Sequence, residues 1–208
     1  HGCTGKGNDQ VRFDGIFNIV CPQMEIITPI RDLKLSREAE IQYLTEKGFS
    51  GDYTKSVYSI NQGLWGTSVG GKETLTSHSN LPEEAYPSQL KKQNQEQLTL
   101  EFEKGHLIKI NDQKFSHPSE AIVKLNEIAS EFAIGRDTHV GDTIIGIKGR
   151  VGFEAAGAIL TLKAHHLLEK HVLSKYQLMI NSQMADWYGT WLHEALFLDP
   201  VMRDIEKL

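Results

Sequence analysis

Residues 1–14, HGCTGKGNDQVRFD, set a Gly-rich, Lys-bearing turn directly in front of a helix, with no strand leading into it. Beyond the turn Phe13, Ile16, Phe17 and Val20 recur at helical spacing, so this helix is expected to bury one stripe. Little follows that supplies a sheet for it. Residues 24–28 (MEIIT) read as one short strand, and Ser36, Glu38, Ala39, Tyr43 and Leu44 as a second helix that Gly48 ends. Helix, strand, helix without leading strands is the pattern expected of the tail of an α/β nucleotide-type domain, its sheet partners lying upstream. A first residue that is His rather than Met points the same way, to a piece cut from a longer protein. A domain boundary is expected near Gly51.

The remainder runs from strands to helices rather than alternating them, which predicts an α+β layer around one sheet. Residues 74–97 are polar, hold Pro82 and Pro87, and read as a long surface excursion. Leu98, Leu100 and Phe102 alternate with polar residues, Lys104-Gly105 makes a turn, and Ile108 and Ile110 resume the alternation, which predicts a hairpin. Pro118 followed by Ile122, Leu125, Ile128, Ala129 and Phe132 predicts an amphipathic helix closed by Gly135. Residues 143–148 (TIIGIK) read as a buried strand, 154–171 and 174–193 as helices, with a last short helix after Pro200. The tail carries Trp187, Tyr188, Trp191, Leu192, Phe197 and Leu198, more apolar surface than a lone surface helix needs. Burial against a partner subunit and packing within the chain both account for it.

Composition narrows the function classes. A formal net charge of -5 with mixed signs offers no basic stripe for nucleic-acid phosphates. No apolar run approaches the roughly 20 residues that span a bilayer, so neither nucleic acid nor membrane is an expected partner. Two cysteines, Cys3 and Cys21, are too few for a disulfide framework and fit a reducing, cytoplasmic setting.

The opening turn carries the chemistry. With a helix starting around Gly5, Thr4, Asn8 and Arg12 are four residues apart and share one side of it. A helix N-terminus with free N–H groups and the Lys6 ammonium nearby suits a carboxylate or phosphate, while Asp9 suits an ammonium. The set fits a site for an amino acid bearing both charges. The competing reading is a capped, solvated helix start, in which Thr4 and Asn8 serve the backbone. The GxxxxGK[ST] phosphate loop is absent. His165, His166, Glu169 and His171 crowd one predicted helix, with His165 and Glu169 at i,i+4; further ligands at metal-site spacing are lacking, so no metal site is expected.

HGCTGKGNDQVRF resembles the aspartate-binding signature of the argininosuccinate synthase family, a His-Gly-x-Thr-x-Lys-Gly-Asn-Asp run before an Arg and a Phe. Tyr58-Ser59 with Leu64-Trp65-Gly66 and Ser68, and the run GRDTHVGDTIIGIKGRVGFEAAGAILTLKAHHLLEKH, extend the likeness to essentially the whole chain, in a divergent bacterial-type branch. The family's Ser-Gly-Gly-x-Asp loop for the ATP pyrophosphate has no counterpart here. The resemblance implies residues 1–51 as the C-terminal remnant of a nucleotide-binding domain and 52–208 as a synthetase and oligomerisation domain with a helical tail. It implies ATP, with Mg2+ held mainly through its phosphates, as a substrate beside citrulline and aspartate, and a homo-oligomer, a tetramer in the family. Activation of the citrulline ureido oxygen by ATP, then displacement of AMP by the aspartate amine, is the implied reaction.

By the same resemblance Gly2 lies at the nucleotide, Thr4, Asn8 and Asp9 hold aspartate, and Asn8, Arg12, Ser59 and Ser68 reach citrulline. Two positions depart from the pattern: where commoner members carry a Glu and, twelve residues later, a Tyr, this chain has Gly141 and Phe153. Glycine offers no carboxylate to the citrulline amino group and phenylalanine no hydroxyl, losses of about 1–3 kcal/mol each where the contact is buried. Asp142, adjacent and acidic, is the expected substitute. A changed second substrate for a related ATP-dependent ligase, and a non-catalytic oligomerisation module, are the alternatives, and the cut piece alone is expected to be inactive.

Overall fold

The computed structural model describes residues 7–51 and 58–208. In chain order the elements are α1 (Asn8–Val20), α2 (Pro29–Asp32), α3 (Arg37–Glu46), β1 (Ser59–Gly63), β2 (Gly66–Gly70), β3 (Leu100–Glu103), β4 (His106–Ile110), β5 (Gln113–Lys114) and α4 (Pro118–Ser130). There follow β6 (Arg136–Asp142), β7 (Lys148–Glu154), α5 (Ala156–Val172), α6 (Lys175–His193) and α7 (Pro200–Ile205). Helices and antiparallel sheets thus mix in an α+β arrangement. The chain forms two compact units: one of residues 1–55, 142–148 and 175–208, the other of 56–141 and 149–174.

The second unit is built on two sheets, ordered β1-β2-β7-β6 and β3-β4-β5. The predicted hairpin forms as β3 and β4, and its turn residues Lys104 and Gly105 both take positive φ, 49° and 81°, the twist that a two-residue hairpin turn requires. Leu107 and Ile110 on β4 and Ala121 and Leu125 on α4 close a core, at 0–3% exposure, against Leu100, Phe102, Phe115, Ile128 and Leu160. The α4 helix starts as read, with Pro118 in its first turn, and the Glu120 carboxylate accepts from the Ser116 hydroxyl at 2.9 Å. That hydroxyl, followed by the His117 backbone N–H, holds the Glu120 pKa below its ordinary value. Gly135 then reverses the chain with φ +76°, where a Cβ would run into the Ala156 backbone.

One side chain joins three elements here. The Asn126 carbonyl accepts from Gly157 N at 2.8 Å, serving the otherwise uncapped start of α5, while its amide donates to Leu64 O at 2.9 Å in the β1–β2 turn. Residues 74–97 are irregular apart from two short 3-10 turns, yet they are no free arm. The Arg136 guanidinium donates to Glu83 at 2.6 Å and Glu154 at 2.8 Å, bonds Ser88 O, and lies over the Tyr86 ring at 4.5 Å. Lys91 N and Lys92 N both donate to Glu131 O, at 2.8 and 2.9 Å, and Ala85 is buried. Polar sequence concealed this anchoring because its apolar content is small and its fixed points lie on other elements.

Two predicted strands do not form. Residues 24–28 are irregular, with Ile27 exposed and Thr28 buried, because Pro29 begins a helical turn immediately afterwards. Residues 143–147 are the loop of the β6–β7 hairpin: Thr143 N donates to Ile147 O at 2.8 Å, Gly146 turns at φ +80°, and Ile145 and Ile147 are about half exposed. The strands lie on either side of that apolar run.

In the first unit α1 begins at Asn8 and α3 is capped by Ser36, whose hydroxyl accepts from Ala39 N at 3.3 Å; Gly48 ends it with φ +82°. The stripe expected to be buried on α1 is so only in part: Ile16 and Phe17 are half-buried, Phe13 is 47% and Val20 59% exposed, and the one fully buried residue of the helix is Gln10. No sheet covers that face among the described residues. Arg31 pairs with Asp14, tying α2 to α1, and this ion pair holds the Asp14 pKa below its ordinary value. Farther along the chain Met202 of α7 is fully buried, and the Tyr188 hydroxyl on α6 donates to Glu206 at 2.7 Å. Trp187 stays half exposed beside Trp191, their rings 5.3 Å apart.

Candidate functional site

The candidate residues fall into two sets, one on each unit. In the first unit, Gly7 precedes α1 in extended conformation with no side-chain cap, so Asn8 enters the first turn with its amide directed elsewhere. Asn8 Oδ1 accepts from Ile144 N at 3.0 Å, and Asn8 Nδ2 lies 3.3 Å from His193 Nε2. Arg12, one turn along the same side, donates through Nε to His193 O at 3.0 Å and through Nη1 to Asp9 at 3.0 Å. Asp9 is exposed in the first turn, where a carboxylate is favoured by the helix dipole. Asn8, Asp9 and Arg12 therefore form one network, anchored by the hairpin loop at Ile144 and the last residue of α6. Gly2 and Thr4 lie outside the described residues.

Sequence reasoning found the three side chains on α1 but missed Ile144 and His193. Those partners sit 136 and 185 positions away, and a backbone N–H and a lone histidine at a helix end carry no local signature.

In the second unit Ser59 lies on β1 and Ser68 on β2. Asn61 opposes Ser68, Ser59 opposes Gly70, and Ser68 opposes Phe153 on β7. Opposed residues, and residues two apart on one strand, share a face, so Ser59, Asn61, Ser68 and Phe153 line the same side of the sheet. A concavity of about 480 Å³ on the sheet includes Asn61, Trp65, Ser68 and Phe153 in its lining. The opposite side, with Thr67, Val69 and Glu154, is buried.

The β6–β7 pair extends this surface. Gly135 O accepts from Ala155 N and Ile147 O from Thr143 N, and the side chains Arg136–Glu154 and Asp142–Lys148 meet across the pair, each at 2.8 Å. Counting inward sets Asp137 opposite Phe153, His139 opposite Val151 and Gly141 opposite Gly149. Gly141 thus belongs to the serine-bearing side, while Asp142, next along the strand, points the other way and pairs with Lys148.

The histidine-rich stretch of α5 is held by its own glutamate: His165 and His166 stand 3.4 and 3.2 Å from Glu169, and the His165 ring packs edge-on against Phe102. Among the described residues no group of three or more His, Cys, Asp or Glu is placed to hold a metal ion. A wider groove of about 710 Å³, walled by Leu98, Leu100, Phe102, Phe132 and Leu160, contains none of the candidate residues. None of the helices among the described residues is long and apolar enough to cross a membrane.

The described residues thus form a mixed α/β protein with an Asn–Asp–Arg network at a helix start and a serine-bearing sheet face. The family described as Arginosuccinate synthase C-terminal domain matches residues 58–208, and that described as Arginosuccinate synthase N-terminal HUP domain matches residues 1–50. The chain belongs to the argininosuccinate synthase family. Among curated relatives, proteins named argininosuccinate synthase from Methanocaldococcus jannaschii and Metallosphaera sedula are 40% and 35% identical over 99% of this chain and 53% of their own length. One from Dictyoglomus thermophilum is 36% identical over 96% of this chain and 51% of its own length. The chain spans about half the length of the curated relatives it matches.

Proposed function

We propose that the protein to which these residues belong is an argininosuccinate synthase, a carbon–nitrogen ligase that joins citrulline to aspartate at the expense of ATP. The observation that carries the reading is the Asn8–Asp9–Arg12 network at the start of α1, within a chain whose family is established. Fixing Asn8 Oδ1 on a backbone donor orients its amide, so an N–H is aimed rather than free to rotate. In this assignment Gly2 lies at the nucleotide. Thr4, Asn8 and Asp9 bind aspartate, whose ammonium meets the Asp9 carboxylate. Asn8 and Arg12 also reach citrulline, whose other contacts are Ser59, Ser68 and the sheet face at Gly141 and Phe153; Asp142, the expected substitute for the missing carboxylate, points the other way and pairs with Lys148.

The ureido oxygen of citrulline attacks the α-phosphorus of ATP and pyrophosphate leaves. The deprotonated aspartate amine then attacks the ureido carbon and AMP leaves with the oxygen, the amine losing its second proton as the C–N bond is completed. The protein supplies no covalent nucleophile; positioning two amino acids and ATP, with hydrogen-bond donors aimed at developing charge, accounts for the rate. Mg2+ accompanies ATP as substrate, held mainly through its phosphates. Residues 1–51 act as part of the nucleotide-binding domain and 52–208 as the synthetase and oligomerisation domain, in a cytoplasmic homo-oligomer. The half-exposed Trp187 and neighbouring apolar residues of α6 support the oligomer.

The test is pyrophosphate release by the protein expressed from its complete coding sequence. Multiple-turnover release that requires ATP, citrulline and aspartate together is expected, with no more than one equivalent released when aspartate is withheld, and it falls about 100-fold in Asn8→Ala from loss of an aimed donor. Multiple-turnover release that ignores either amino acid overturns the reading.

A further inference from the structure

Position 141 is glycine, yet the space beside it is filled. A Cβ built on Gly141 collides with His139 Nε2 and lies 3.0 Å from His139 Cε1. The imidazole, two residues back on the same strand side, therefore folds forward over the Gly141 backbone and takes the place that a side chain at 141 would occupy. His139 is exposed, and its side of the sheet is the one that carries Ser59, Asn61, Ser68 and Phe153. Asp137, also on this side, makes the β6 end of the face negative, so a cationic group is favoured there.

We infer that His139 is a substrate-contacting, specificity-determining residue: its imidazole accepts a hydrogen bond at Nε2 from the α-ammonium of the ureido amino acid. The pair His139 and Gly141 works as one device, a ring on one residue and the room for it on the other. Acceptance at Nε2 requires the proton on Nδ1. Ser59 and Ser68, on the far strands of the same face, reach the rest of the molecule. The inference rests on the proposed ligase reading, and concerns only which group of this chain meets citrulline.

The experiment measures KM for citrulline, aspartate and ATP, and kcat, in the complete protein and four variants. In His139→Ala the citrulline KM rises about tenfold or more, as expected for one hydrogen bond to a charged group, while the other constants stay within about twofold. His139→Gln, whose amide oxygen still accepts, recovers most of the loss. Gly141→Ala displaces the ring and reproduces the rise, but costs less than about twofold more when His139 is already alanine, because the two residues act through one contact. An unchanged citrulline KM in His139→Ala, an equal rise for all three substrates, or additive effects of the two changes would overturn the assignment. A wild-type protein that makes no argininosuccinate sinks the ligase reading itself, whereas an active wild type with a normal His139→Ala sinks this inference alone.

Discussion

The two units solve the problem of holding a polar site in different ways. The second unit carries its own core: Leu107, Ile110, Ala121 and Leu125 are essentially sealed, and its candidate residues stand on a sheet whose central strands β2 and β7 bury Thr67, Val69 and Glu154 on the reverse side. In the first unit the described ties of the helix that bears Asn8, Asp9 and Arg12 are polar and run to residues far along the chain. The sheet face is positioned by burial; the start of α1, among the described residues, is held by hydrogen bonds.

The sharpest way to break this comparison is at the core. Leu125→Ala is expected to cost about 3–4 kcal/mol, because a fully buried leucine is replaced by a cavity. In native-state hydrogen exchange that loss should appear in α4 and β4; equal loss in α1 would mean that the units share one cooperative core. A smaller effect is expected for Ser36→Ala, about 1 kcal/mol from the lost α3 cap, with thermal unfolding as the readout. Protection lost in α3 but kept in α4 would sharpen the contrast.

The smallest effect is a pH dependence. Arg31 lowers the Asp14 pKa in the folded state, so the folded protein binds the proton less readily than the unfolded chain. The stabilisation is complete above the unfolded pKa and is lost as pH falls through the folded one. Acid titration of Asp14→Asn should lack this step, and an identical acid profile would remove Asp14 from the account.

Legibility in the sequence followed the same division. The α4 helix was readable because period and burial agree there, Leu125 and Ala129 facing the core; the β3–β4 hairpin was readable from its Lys104-Gly105 turn, but a bulge at Ile108 puts Leu107 in the core in place of the expected Ile108. The β6–β7 pair was not, since its apolar residues 144, 145 and 147 sit in the loop while the strands carry glycines and charges. The β1 strand, SINQG, is exposed throughout and shows no alternation. Of the candidate site, the residue types on α1 and the serines at 59 and 68 were visible as a family pattern. The ring of His139 over Gly141 was not, because an empty position filled by a neighbour is a property of space rather than of spelling.

The contact between Asn8 and His193 also bears on how the chain is made. The second unit interrupts the first, and the ties of Asn8 run to residues 144 and 193. On the ribosome, where domains usually complete in order from the N-terminus, this order is inverted: the sheets can close while the first helix still lacks its most distant partner. Helix α1 is synthesised before the second unit but gains its His193 partner only after it, so a synthetic pause before residue 193 would leave a folded middle joined to an α1 that still lacks this tie.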